Sequence, residues 1–253
     1  MVEPELCGCG EIYLNLGCFY NTEALRGQAE ALRALQKKNR SFYPAVSAHL
    51  RSAAALEQSA REAMEPTDPE GLFRLLRGFY GDGTPSRDGH ARSRELFLSA
   101  YTPAGFVEFP VRRGCAVALT DPCGLSAPLL ERLREHYLHA GYDCTAVLSP
   151  LSPDRLTGLI VPELDAAFLA APEPSAQCSV SVDLRHYFRC GAHTDALLSE
   201  ARAHTEEAVR LLAGAKAAHD ELEALYRPHV AFEGLDLLTQ EYRKNLKAEL
   251  LRA

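Results

Sequence analysis

The residues with the most chemical promise form one run, Thr120-Asp121-Pro122-Cys123-Gly124-Leu125-Ser126-Ala127-Pro128-Leu129-Leu130. An apolar strand, Cys115 to Leu119, leads into it, and an amphipathic helix, Pro128 to Ala140, leads out. Strand, tight loop and helix start is the arrangement in which free backbone N–H groups and the helix dipole face an anion. The run is therefore read as a degenerate phosphate loop, with Thr120, Asp121, Cys123, Gly124, Leu125, Ser126 and Ala127 as its binding residues. The position suits a phosphate; the residue types do not. A working G-x-x-x-x-G-K-[ST] loop needs glycines for its backbone angles, a lysine for the terminal phosphates and a hydroxyl for Mg2+. Here the only glycine is Gly124. Cys123, at the helix start, is a second kind of candidate, because the dipole there lowers a thiol pKa and favours the nucleophilic thiolate. No partner base for it is evident in the sequence.

Other reactive residue types fall into less specific patterns. Cys7, Cys9 and Cys18 could offer thiolates to a metal, but the C-x-C pair has no second pair at zinc-finger spacing. Cys178, His186, Cys190 and His193 are soft and imidazole ligands of the type zinc takes, at spacings that match no established site; a surface turn beside a buried thiol explains them equally. His136 and His139 sit three apart on the polar face of the helix after the loop. Asp165 and Asp183 follow apolar runs, where each could organise Mg2+ or simply end a strand. No metal, catalytic residue or cofactor is assigned from these patterns.

The elements that position these residues follow from periodicity. From Thr22 to about Ala63 the chain is rich in Ala, Leu, Arg and Gln, with Leu25, Leu32 and Leu35 on one face, and reads as two consecutive helices or one long helix bent near Pro44. A short helix, Glu70 to Arg77, precedes Gly81-Asp82-Gly83-Thr84-Pro85-Ser86-Arg87-Asp88-Gly89, which has linker composition. Short apolar runs follow at Leu96–Leu98, Cys115–Leu119, Cys144–Leu148, Leu159–Val161, Ala166–Leu169 and Val180–Val182, and the strand-helix-strand unit among them predicts a parallel sheet. Thr194 to Tyr226 and Leu235 to Leu251 read as helices. The stretch Glu11 to Leu25 resembles Ser179 to Leu197: each predicts a strand, an aromatic pair (Phe19-Tyr20, Tyr187-Phe188) and a helical hairpin.

Composition sets the bounds. The chain has 253 residues, 47% hydrophobic and 24% charged, and its net charge of -7 argues against a phosphate-backbone partner such as nucleic acid. Eight cysteines without a secretory leader read as reduced thiols, and the acidic opening and lack of a long apolar run predict a cytoplasmic protein with no membrane span.

Taken in order, several phrases resemble a bacterial family of tandem P-loop NTPases, in which two ATPase-like units each end in a long helical hairpin. They are Leu96-Phe97-Leu98-Ser99-Ala100-Tyr101-Thr102-Pro103-Ala104-Gly105, the degenerate loop, Gly141-Tyr142-Asp143, Ser152-Pro153-Asp154-Arg155-Leu156, Ile160-Val161-Pro162-Glu163-Leu164 and Tyr13-Leu14-Asn15-Leu16-Gly17. The resemblance implies an α/β fold, a P-loop NTPase-like parallel sheet with long helical hairpins. It further implies a truncated first repeat over 1–80, a linker over 81–91 and an ATPase-like domain over 92–253, the first P-loop lying upstream of Met1. Aligned on Leu129-Leu130, Ser126 stands where the family has its phosphate lysine and Ala127 where it has the Mg2+-binding hydroxyl; Thr120, Cys123 and Leu125 replace glycines. The implied function is structural or regulatory, without ATPase activity. The Leu25, Leu32 and Leu35 stripe separately predicts association through the hairpins, with the 194–226 hairpin of the same chain, a second copy or a protein partner covering it. The alternative is an ATP- or phosphate-ligand-binding protein or enzyme that uses the 120–128 loop.

Overall fold

A computed structural model describes residues 14–80, 91–121, 124–171 and 180–250. In chain order the elements are α1 (Thr22–Arg26), α2 (Ala29–Glu62), β1 (Glu65–Pro66), α3 (Pro69–Tyr80), β2 (Ser93–Leu96), β3 (Ser99–Thr102), β4 (Gly105–Glu108), β5 (Cys115–Thr120), α4 (Ala127–His139), β6 (Cys144–Leu148), β7 (Leu156–Val161), β8 (Ala166–Ala171), β9 (Val180–Asp183), β10 (Phe188–Arg189), α5 (Ala192–Tyr226) and α6 (Phe232–Leu250). The chain divides into two compact units: a central one, Ser41–Ala215, and a terminal one made of residues up to Arg40 and from Lys216. Residues of α2 and of α5 belong to both units. The expected linker over 81–89 lies outside the described residues.

The central unit holds a six-stranded sheet in the order β2-β6-β7-β8-β5-β9. The fold is α/β as expected, but the sheet is mixed rather than parallel: β7 runs antiparallel to both β6 and β8, while the other pairings are parallel. The connections explain the reversal. Only Ser149 to Arg155 separate β6 from β7, and only Pro162 to Asp165 separate β7 from β8, too short for the crossover that a parallel neighbour requires. From β5 to β6, with two strands between them in the sheet order, the chain crosses over through α4, which ends as expected at Gly141, in the left-handed region at φ 85°. Leu129, Leu130, Leu133 and Tyr137 of α4 pack with Leu119, Leu159, Val161 and Phe168 of the sheet into the main core, against which α3 lays Leu72, Leu75, Leu76 and Phe79. A hairpin of β3 and β4, turning at Pro103-Ala104, was not foreseen.

Long single helices stand where helical hairpins were expected: after the short α1, α2 runs for 34 residues with Pro44 inside it, and α5 has 35. Pro44 removes one backbone hydrogen bond, but from Ala29 to Glu62 there is no glycine to release the chain, so the helix continues. In the central unit α2 and α5 face each other antiparallel. A Cβ on Gly214 would meet the Phe42 ring at 2.7 Å, and His49 Nδ1 lies 2.8 Å from His204 Nδ1. Val46, Ala53 and Ala60 on α2, and Thr194, Ala201, Ala208 and Ala215 on α5, are all buried at seven-residue spacing, the signature of a left-handed pair with a small-residue seam.

Two junctions, one per unit, are built alike. In the central unit Asp183 caps a 3-10 turn, Leu184–Tyr187, by accepting from Arg185 N; β10 then pairs antiparallel with β1, and Thr67 N donates to Tyr187 O at 2.8 Å. In the terminal unit Asn15 caps a 3-10 turn, Leu16–Phe19, by accepting from Gly17 N; Tyr20 bridges antiparallel to Val230, and Ala231 N donates to Phe19 O at 2.8 Å. The helices that follow begin alike, Glu70-Gly71-Leu72 in α3 and Glu233-Gly234-Leu235 in α6. The repeat thus recurs as turn, bridge and long helix, not as strand plus helical hairpin. Leu14 and Asn15 are not in a strand, and the rest of that expected strand, 11–13, lies outside the described residues. In the terminal unit Leu32 is buried and Leu25 and Leu35 are half-buried, so the chain itself largely covers the face expected to associate. Among the described residues no helix is long and apolar enough to cross a membrane.

The small-residue seam generates a direct test. Ala208→Leu inserts three heavy atoms into a fully buried position and is expected to cost about 1–3 kcal/mol in urea unfolding, whereas Ala203→Leu, exposed on the same helix, should stay within about 0.5 kcal/mol.

Candidate functional site

Because five of the six strands are parallel, their carboxyl ends share one edge of the sheet, the usual place for a ligand in an α/β fold. Thr120 ends β5 there, Leu148 ends β6 and Ala171 ends β8, and a cleft of about 360 Å³ opens beside them. Its floor is formed by Asp121, Gly124 and Ser126, its sides are Ser149 to Leu151, Arg155 and the β3–β4 hairpin, and Glu57 of α2 and Leu198, Ala201, Arg202 and Thr205 of α5 complete it.

The loop expected to receive phosphate is already engaged by an anion of the chain. Asp121 Oδ1 accepts from Gly124 N at 2.7 Å and Leu125 N at 2.8 Å, and Oδ2 accepts from Ser126 N at 2.6 Å. Three successive N–H groups converging on one carboxylate form an anion nest, and charge-assisted bonds of this kind are about twice as strong as neutral ones. Gly124 makes the turn possible: it sits at φ 87°, and a Cβ there would run into Arg155 Nη1. Ser126 ends the nest and precedes Ala127, the first residue of α4.

The loop's side chains tell a different story from its backbone. Thr120 and Ser126 are fully buried, and neither Thr120 Oγ1 nor Ser126 Oγ has a hydrogen-bond partner among the described residues. Ser126 lines the cleft. Leu125 and Ala127 are buried apolar residues, so of the residues expected to bind phosphate these two serve the core. Cys123, the candidate nucleophile, lies outside the described residues.

Beside the nest stands a half-buried charge group that sequence reasoning missed. Arg155 Nη2 reaches Glu57 Oε2 at 3.1 Å, and Arg61, one turn further along α2, lies 3.9 Å from the same oxygen. Burial pushes the Glu57 carboxyl above its ordinary range against the opposing pull of Arg155 and Arg61, and the nearby Asp121 charge adds to the rise. Tyr101 is pushed up to about 12, first by burial and then by Glu57. Glu108 is also raised, by burial alone. The only signal for Glu57 and Arg61 was an opposite-charge pair four apart in a helix whose other faces were unremarkable, and Arg155 appeared only within a family phrase.

The remaining candidates are dispersed. Asp165 stands before β8, at the sheet edge opposite the cleft, where its carboxylate accepts from Gly114 N at 2.8 Å and pairs with Arg113. Asp183 caps its turn, and its pKa is lowered mainly by the Arg185 hydrogen bond. His136 stacks on Tyr80 at 4.0 Å. Cys7, Cys9 and Cys178 lie outside the described residues, and among the described ones no three His, Cys, Asp or Glu side chains are grouped to hold a metal. No protein family, curated protein or solved structure matches this chain.

Adjacent residues of the loop should respond to mutation with opposite signs. Asp121→Ala leaves three inward N–H groups without their acceptor and is expected to lose about 3 kcal/mol or more. Thr120→Val removes an orphaned buried hydroxyl at nearly constant shape and should be neutral or stabilising by about 1 kcal/mol. Urea unfolding of the two variants checks both signs.

Proposed function

We propose that this chain is a non-hydrolysing relative of nucleotide-binding α/β proteins with a structural or regulatory role. The observation that carries the reading is the Asp121 carboxylate seated on the N–H groups of Gly124, Leu125 and Ser126. A transferring phosphoryl group needs those donors free, together with a lysine and a metal-binding hydroxyl. The donors are bonded to an acid, Ser126 stands in the lysine position implied by the family resemblance, and Ala127 in the hydroxyl position. An ATP- or phosphate-binding role for the 120–128 loop would require phosphate to displace the carboxylate, giving up three charge-assisted bonds and placing two anions side by side.

A regulatory role calls for a partner, and the terminal unit supports one: Leu237 and Leu246 of α6 and Leu16 beside it are exposed apolar side chains. Purified protein is expected to show no Mg2+-dependent ATP or GTP hydrolysis above a buffer blank. Turnover that disappears in Asp121→Asn or Ser126→Ala protein would overturn this function.

A further inference from the structure

The cleft at the sheet edge carries more than a closed phosphate loop. β3 and β4 pair with Ser99 opposite Glu108 and Tyr101 opposite Phe106. Side chains two apart along a strand share a face, so Ser99, Tyr101, Phe106 and Glu108 all belong to one face of the hairpin, and all four line the cleft. The two rings meet at 5.3 Å between centroids with a 59° tilt. Half of Phe106 is exposed.

The charges of the cleft can be assigned one by one. Asp121 is spent on three backbone donors. Glu57 is spent on Arg155 and Arg61. Two lining charges remain, and among the described residues neither has an ion-pair partner: Glu108 on the hairpin wall and Arg202 on the α5 wall. Burial raises Glu108 with no cation to oppose it. At the floor lies Ser126 Oγ, 0% exposed and without a partner, a donor and acceptor that folding has desolvated and left unused.

We propose that this cleft binds a small amino-carboxylate, a free amino acid or a molecule of that class. Its ammonium is held by Glu108 beside the Tyr101 and Phe106 rings, its carboxylate by Arg202, and a polar atom of its body by Ser126 Oγ. An ammonium beside a carboxylate and aromatic faces gains both charge pairing and cation–π attraction. A guanidinium is the natural partner of a carboxylate. A cleft of about 360 Å³ admits such a molecule with room to spare. The site uses none of the loop's backbone donors, so it stands whether or not the chain hydrolyses nucleotide.

The test is isothermal calorimetry of the full chain against the twenty free amino acids, with inorganic phosphate as a separate arm. For any amino acid that binds, its decarboxylated amine and its deaminated acid follow. At least one amino acid is expected to bind, with affinity falling about tenfold or more in Glu108→Gln and in Arg202→Gln. Both positions are exposed, so these variants should keep the wild-type thermal midpoint. Ser126→Ala should weaken binding several-fold without destabilising the free protein. Loss of either ligand charge should cost as much as loss of its protein partner. The proposal is overturned if no amino acid binds, if binding survives both charge variants, or if phosphate or the plain amine binds equally well.

Discussion

A carboxylate that binds its own chain's backbone organises the centre of this protein. Asp121 follows β5 and draws together the N–H groups of Gly124, Leu125 and Ser126, which fixes where α4 begins and how Leu129 and Leu130 enter the core. A helix N-terminus carries unsatisfied donors and partial positive charge, and a loop that does not export these to a ligand must answer them internally. The strand-loop-helix unit is thereby complete as folded. The neighbouring Glu57 and Arg155 meet the same constraint, each half-buried charge being tolerated because the other is within reach.

How much of this was legible depended on whether a feature is local. The run from Cys115 to Gly141 reads directly, because its apolar strand, loop and amphipathic helix are set by neighbouring residues. The antiparallel β7 was readable in principle from the short connections on either side of it; an expectation drawn from βα crossovers passed over them. The reading of Thr22 to Ala63 as two helices rested on Pro44; the alternative of one long helix is what α2 shows there, with its seam against α5 holding the helix through the proline.

The site was half visible. Its position came from the loop, and the residue types there already argued against phosphate. What filled the nest could not be read: an aspartate at that position gives no hint that its side chain will fold back over residues three to five ahead. Glu57, Glu108 and Arg202 come from a helix, a hairpin and another helix far apart in the chain, and only the fold gathers them. The junction repeat was visible as Phe19-Tyr20 and Tyr187-Phe188, yet its second half, Glu-Gly-Leu opening α3 and α6, went unnoticed because it lies beyond the long helices.

The bridge between Tyr20 and Val230 has a consequence for synthesis. Its two backbone segments are far apart in sequence, so the contact cannot close until Val230 has left the ribosome. The start of α2 emerges early and α5 late, and in the interval the first long helix presents its small-residue seam to the cell without the partner that covers it. Until α5 follows, the nascent form with that seam open is the species most exposed to chaperones.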